Sequence, residues 1–184
     1  MEAIQTQYDG YKFRSRLEAR WAVLFNSLNI NYRYECEGYI LEDGRKYLPD
    51  FYLPNIGSSW VNDDNGIFVE IKPAHIDVDN KWELFGKQSE IPIILLGPLD
   101  IFNGGDITNG FHWIHSNDFS DGPYLFCECE SCKEIGLEFD GRSGRIGCKC
   151  GQQKKRYNSD SYNIRKAYRH ARQARFEHGE VPIV

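Results

Sequence analysis

Tyr47-Leu48-Pro49-Asp50-Phe51-Tyr52-Leu53 and Ile67-Phe68-Val69-Glu70-Ile71-Lys72 are the two stretches that decide how this chain is read. Both are rich in aromatic and branched residues, which predicts two strands, and in each a charged residue interrupts apolar ones. Side chains alternate along a strand, so Glu70 and Lys72 share one face while Val69 and Ile71 take the other. If the strands are neighbours, Asp50, expected near the middle of the first, meets Glu70 on that face. Two carboxylates a few ångströms apart repel unless a cation or a proton lies between them. A hard divalent ion with oxygen ligands, Mg²⁺ or Mn²⁺, is the natural occupant. A lysine beside it can orient or deprotonate an attacking water, or stabilise negative charge on a phosphate. The plainer alternative is an ordinary surface ion pair between Glu70 and Lys72.

Upstream, Leu17, Trp21, Leu24, Phe25 and Leu28 recur at helical spacing. Ser15 with Glu18 three residues later fits a capping box, so the helix is expected to start at Ser15 and end near Leu28 or Asn29. Glu18 has a second reading: it flanks the apolar stripe beside Trp21 and Phe25, and can face the sheet as a third carboxylate. Asn31–Glu35 and Tyr39–Leu41 read as further strands, with Asp43-Gly44 as a hairpin turn. Asn55–Gly66 reads as a loop, Val78–Ser89 as a short helix, and Ile91–Leu96 as a strand buried on both faces. Gly97–Gly110 is loop-rich, Phe111–His115 suits an edge strand, and Ser161–His178 is a second long helix closed by Gly179. No internal repeat is visible. The order helix, three or four strands, helix, strand indicates an α/β domain of about 115 residues with two small additions. The expected division is a core over 1–120, a cysteine module over 121–156 and a basic helix over 157–184.

The chain has 184 residues, of which 41% are hydrophobic and 14% aromatic, enough for a packed core. No eighteen-residue apolar run occurs, and Met1-Glu2-Ala3 begins neither a basic nor an apolar leader, so neither membrane spanning nor export is expected. The net charge of −5 conceals an asymmetry: residues 1–140 carry 11 Lys and Arg against 24 Asp and Glu, whereas residues 141–184 carry 11 against 3. An acidic body suggests carboxylates held for metal or catalysis, and a basic tail suggests a surface for a polyanion. Solvated surface charge is the alternative for both.

Five of the six cysteines lie between Cys127 and Cys150. In a chain with no export signal such clustering reads as metal binding rather than a disulfide framework. Cys129-x-x-Cys132 and Cys148-x-Cys150 supply two ligand pairs, and four thiolates around Zn²⁺ make a closed, structural site. Cys127 can replace Cys129 or Cys150. His112 and His115 are further donors, although a His pair flanking Trp113-Ile114 is more often structural. Cys36, standing alone, reads as a small buried apolar residue. Arg142 and Arg145 sit at the tip between the cysteine pairs, and Lys154, Lys155 and Arg156 follow. On the last helix Arg165, Arg169 and Arg172 recur at helical spacing opposite a weak stripe of Ile164, Ala167, Tyr168, Ala171 and Ala174. These cations suit a nucleic-acid backbone. Near a helix end they can also simply complement the dipole.

Phe13-Arg14-Ser15-Arg16-Leu17-Glu18-Ala19-Arg20-Trp21-Ala22, then Tyr47–Phe51, then Val69-Glu70-Ile71-Lys72-Pro73 together resemble the PD-(D/E)XK nuclease superfamily. The chain is most similar to small phage and bacterial members that end in a segment like Ala171-Arg172-Gln173-Ala174-Arg175-Phe176-Glu177-His178-Gly179-Glu180. The likeness covers about Tyr8 to Glu180. It implies a restriction-endonuclease-like αβββαβ core hydrolysing DNA phosphodiesters to 5′-phosphate and 3′-hydroxyl ends. By motif position Asp50 and Glu70 would bind Mg²⁺ or Mn²⁺, the Ile71 carbonyl would add a ligand, and Lys72 would act on the water. Glu18 would match a helix carboxylate that helps hold metal in many members. The resemblance also implies the cytoplasm of a bacterial or phage-infected cell. Two rivals share the fold: a DNA- or protein-binding module without turnover, and a homodimeric junction resolvase, for which Tyr32, Tyr34 and Tyr39 offer a contact surface. An RNA substrate ranks below DNA, because nothing resembles a single-strand RNA platform.

Overall fold

Helix α1 (Arg16–Ser27) forms where the spacing predicts it, with Ser15 as N-cap accepting the Glu18 N–H through its side chain. A computed structural model describes residues 4–56, 66–73, 79–99, 111–115, 118–139, 150 and 157–176. Among these, three helices and twelve strands make a mixed α/β fold. Two short strands, β1 (Thr6–Tyr8) and β2 (Tyr11–Phe13), pair ahead of α1. Then come β3 (Arg33–Tyr34), β4 (Tyr39–Ile40), β5 (Lys46–Tyr47), β6 (Phe51–Leu53) and β7 (Ile67–Ile71). Helix α2 (Lys81–Gln88), β8 (Ile93–Leu96), β9 (Phe111–His115), β10 (Asp118–Cys129), β11 (Ile135–Phe139), β12 (Tyr157–Asn158) and helix α3 (Tyr162–Gln173) complete the order.

One eight-stranded sheet organises the molecule, in the order β11-β10-β9-β8-β7-β6-β3, with β12 pairing β10. Strands β3, β6 and β7 are antiparallel neighbours, whereas β8 returns through α2 to lie parallel to β7. Parity along β7 decides the layers, since successive side chains leave opposite faces. Val69 and Ile71 join Trp21, Leu24, Phe25, Ile164 and Tyr168 in a core beneath α1 and α3. Phe68 joins Leu41, Tyr47, Trp82, Phe85 and Ile93 beneath α2 and the β4–β5 hairpin. Trp21, Phe25 and Phe51 have no solvent-exposed surface. Burial at this level stabilises by about 1.5–3 kcal/mol per large apolar side chain.

Several expectations need correction. The strand expected over Tyr47–Leu53 is broken: Lys46–Tyr47 pairs back in the hairpin, and only Phe51–Leu53 joins the main sheet. Pro49, which has no N–H to give a ladder, stands in the break. Asp50 therefore sits just ahead of β6 rather than mid-strand. Phe111–His115 is not an edge strand, because β10 pairs along its outer side. Within β10 the ladder to β9 shifts register between Asp121 and Tyr124, the interval that holds Gly122-Pro123. The expected boundary at 120/121 falls inside β10, so core and cysteine segment share one sheet. The stripe on α3 packs into the same core as α1. Cys36 is exposed in the connection between β3 and β4. The tyrosines offered as a dimer surface are engaged within the chain. Tyr34 is buried against Phe13 and Phe51, Tyr32 donates to Asp9 at 2.7 Å, and Tyr39 packs on Phe68 and Phe85.

Candidate active site and metal centre

The β6–β7 register pairs Phe51 with Val69, and one step further Asp50 lies opposite Glu70. Both carboxylates are buried. Asp50 Oδ2 accepts the Ile71 N–H at 2.7 Å, and its Oδ1 takes the Arg14 guanidinium. Glu70 Oε2 accepts the Tyr47 hydroxyl at 2.6 Å, and its Oε1 lies 2.5 Å from Lys72 Nζ. An ion pair between Glu70 and Lys72 therefore forms, but around a buried carboxylate rather than on the open surface. Arg14 Nε also lies 2.5 Å from Glu35 Oε1, a charge contact without the alignment of a hydrogen bond. Glu35 itself adopts φ +44°, an uncommon conformation for a side-chain-bearing residue.

Electrostatics follow from this burial. Desolvation first, then the charges of Glu70 and Glu18, push the Asp50 carboxyl up to about 8, against the Ile71 N–H and Arg14. Burial and the Glu70 charge hold the Tyr47 phenol well above its ordinary value, so it remains a donor. Burial acts to lower the Arg14 pKa, but Asp50, Tyr34, Glu35 and Glu18 outweigh it. A cleft of about 260 Å³ opens over this group, lined by Arg14, Lys46, Tyr47, Glu70, Lys72 and Lys81 among others.

Glu18 resolves toward its local role. Its Oε1 accepts from the Ser15 hydroxyl at 2.7 Å, and its Oε2 accepts from the Tyr34 hydroxyl at 2.6 Å and the Arg14 N–H at 3.1 Å. It does not converge with Asp50 and Glu70: among the described residues only Cys129, Cys132 and Cys150 bring three ligand atoms within 4.8 Å of one another. Its charge still reaches Asp50. For Ile71 the structure records its N–H on Asp50. Arg14, Tyr34 and Tyr47 are the site residues that sequence reasoning missed as such. Arg14 and Tyr47 stand inside the quoted motifs, but nothing in the spacing says which carboxylate each would meet.

The cysteine trio forms where β10 ends. The chain turns through Glu130 and Ser131, Lys133 N–H donates to Cys129 O at 2.9 Å, and Lys133 takes a left-handed φ of +65°. This turn brings the Cys132 sulfur back to Cys129, and Cys150 approaches Cys129 at 3.9 Å. Three converging soft donors can hold a metal such as zinc. Cys148, the expected fourth ligand, lies outside the described residues. Cys127 is buried, directs its thiol toward Leu125 O at 3.7 Å and is not one of the three converging sulfurs. Between the cysteines, buried Glu128 accepts from Ser161 at 2.7 Å and Asn163 at 2.9 Å, and pairs with Lys133 at 3.2 Å. Burial acts to raise its pKa, but these partners hold it below the usual range. The carboxylate thereby fastens the cysteine turn to the N-terminus of α3, where negative charge is favoured.

Turn and cleft stand at one end of the sheet. Leu95 pairs with His112 and His112 with Asp121, so β10 runs on to Cys129 past the end where Lys72 follows β7. Three strand spacings, roughly 14 Å, separate β7 from β10. On α3, Arg165 and Arg169 are exposed and Arg172 is half-buried. Arg165 is paired with Asp160 at the helix start. Arg172 lies in the last turn, where it also complements the dipole. Arg142, Arg145, Lys154, Lys155 and Arg156 lie outside the described residues.

No protein-family model, no curated protein and no solved structure matches this chain. No helix among the described residues is long and apolar enough to cross a membrane.

Proposed function

We propose that this chain is a metal-dependent DNA endonuclease of the PD-(D/E)XK type, with a structural zinc centre and a basic C-terminal surface for the nucleic-acid backbone. One observation carries the reading: adjacent strands bring two buried carboxylates, Asp50 and Glu70, together at one end of the sheet, where Glu70 and Lys72 line a cleft. Burying like charges this way costs stability, which a binding scaffold has no need to accept. The order of α1, three antiparallel strands, α2 and a parallel β8 supports the αβββαβ core that the motifs imply.

The donor set fits Mg²⁺ or Mn²⁺, since Asp50 and Glu70 offer hard oxygens from neighbouring strands. The Ile71 carbonyl is the proposed third protein ligand. Such an ion supplies charge neutralisation at the phosphodiester and a more acidic water. The chain's own groups do the rest. The Ile71 N–H fixes the Asp50 carboxylate, the Tyr47 hydroxyl fixes that of Glu70, and Lys72 Nζ would orient the attacking water and offset negative charge on the phosphate. At the same end of the sheet, the cysteine turn would hold zinc, and Glu128 carries that order into α3. On α3, the exposed Arg169 would contact the nucleic-acid backbone.

Cleavage of supercoiled plasmid with Mg²⁺ or Mn²⁺ tests the reading, comparing the wild type with Asp50→Ala and Lys72→Ala. Metal-dependent nicking or linearisation lost in both variants is the expected result. Cleavage that persists in both would refute the site. A second reading, binding without turnover, has one observation in its favour: Arg14 and Lys72 already neutralise both carboxylates. DNA retention without cleavage of plasmid or branched junctions would favour it.

A further inference from the structure

Each carboxylate of the proposed centre already holds a cation of the chain itself. Asp50 gives Oδ2 to the Ile71 N–H at 2.7 Å, so Oδ1 is the oxygen left for a cation, and the Arg14 guanidinium is on it. Glu70 divides its oxygens between Lys72 Nζ at 2.5 Å and the Tyr47 hydroxyl at 2.6 Å. An ion that takes oxygens from both residues competes with these groups, and at Asp50 its competitor is the Arg14 guanidinium.

Arg14 is the one built to move. Its side chain is 54% exposed, against 31% for Lys72. Its backbone is pinned, with the N–H shared between Glu18 Oε2 at 3.1 Å and the Tyr34 oxygen at 3.0 Å, so the head can swing without disturbing α1. Glu35, 2.5 Å from Arg14 Nε, gives the guanidinium a second carboxylate to hold as it leaves Asp50. Lys46 and Lys81 line the same cleft and add positive charge there. Asp79, also in its lining, is already engaged by Arg45 at 2.9 Å and Lys81 at 3.2 Å.

Resting on the nuclease reading above, we infer that Arg14 is a placeholder cation: it occupies the Asp50 oxygen that a divalent ion takes, and once displaced it binds a phosphate of the nucleic acid in the cleft. The guanidinium fork suits both partners, since carboxylate and phosphate present the same paired oxygens. An ion that must displace Arg14 binds only the fraction of molecules with Oδ1 open, and its apparent affinity falls by that fraction. Substrate then rewards the displaced state, so metal and nucleic acid bind with positive coupling.

The test uses the zinc-loaded full chain and titrates Mn²⁺ by electron paramagnetic resonance, with Asp50→Asn marking the site. Arg14→Gln should bind Mn²⁺ about five- to tenfold more tightly than wild type, because the competitor is gone. In saturating Ca²⁺, with the DNA verified intact after binding, the same variant should bind duplex DNA about tenfold more weakly, with a shallower salt dependence. Unchanged or weaker Mn²⁺ binding by folded Arg14→Gln overturns the placeholder. Tighter Mn²⁺ binding with unchanged DNA affinity overturns the phosphate contact. If Arg14→Gln does not fold, Arg14→Lys, which keeps the charge and loses the fork, must still exceed the wild type in Mn²⁺ affinity, or the inference is wrong. A wild type with no Asp50-dependent Mn²⁺ binding removes the nuclease reading itself, and this inference with it.

Discussion

Asp50 is where local physics is most strained. Its carboxyl is raised in the fold, so folding takes up a proton there. That contribution is complete below the unfolded carboxylate value near ~4 and is lost as pH rises through about 8. Metal-free thermal stability should therefore fall across that window. Asp50→Asn keeps an acceptor for the Ile71 N–H and cannot ionise, so its profile should be flatter, with a gain on the order of 1 kcal/mol at pH 9. Calorimetry from pH 4 to 9 on both proteins checks this; equal slopes would remove the buried-charge account. Glu18 makes the complementary point. Its place in the capping box was legible from Ser15 three residues earlier, but its bond to Tyr34, sixteen residues away, was not.

Elements carry their own tests. Gly66 leads into β7 with φ +60°, and a Cβ there would sit 2.5 Å from Leu53 O and 2.9 Å from Pro54 Cα, both backbone atoms. Gly66→Ala should cost about 2 kcal/mol or more in urea unfolding, since backbone on both sides must shift as well as the left-handed residue strain. A loss below half that would mean the turn relaxes freely. On α3, Ser161 caps the helix by accepting the Ile164 N–H at 3.2 Å and also donates to Glu128. Ser161→Ala should cost about 1–2 kcal/mol, the upper range for a cap, because a buried carboxylate loses a donor at the same stroke. Ser161→Thr should recover most of it. Failure of that rescue would separate the cap from the Glu128 contact.

At the scale of the whole molecule, the cysteine turn and the main sheet are one construction, since Cys127 and Cys129 are residues of β10 itself. Zinc removal should therefore be felt beyond the turn. One equivalent of zinc per chain is expected by elemental analysis, and Cys132→Ser should lose most of it. Its thermal midpoint should drop by about 4–8 °C, corresponding to roughly 2 kcal/mol in a domain of this size. Amide exchange should rise in the first turn of α3, reached through Glu128. Exchange confined to the turn would show that the carboxylate does not transmit the change.

Helix α1 and its cap, the Asp43-Gly44 hairpin, the strand Ile67–Ile71 and the apolar stripe of α3 were all readable from the residues, because each depends on spacing within a few positions. So were the identities of the carboxylate pair and of the converging cysteines. What the spacing could not contain was partnership across the chain. Arg14 meets Asp50 over a separation of 36 residues, and Tyr47 meets Glu70 over 23. Those meetings depend on how β6 registers against β7 and on where the hairpin folds over the second face. The same holds for β9, whose place inside the sheet depends on β10 pairing along its outer side. Local sequence chose which groups the site contains. Only tertiary packing, by burying both carboxylates and bringing Arg14 to Asp50 and Tyr47 to Glu70, decided the surroundings of each one.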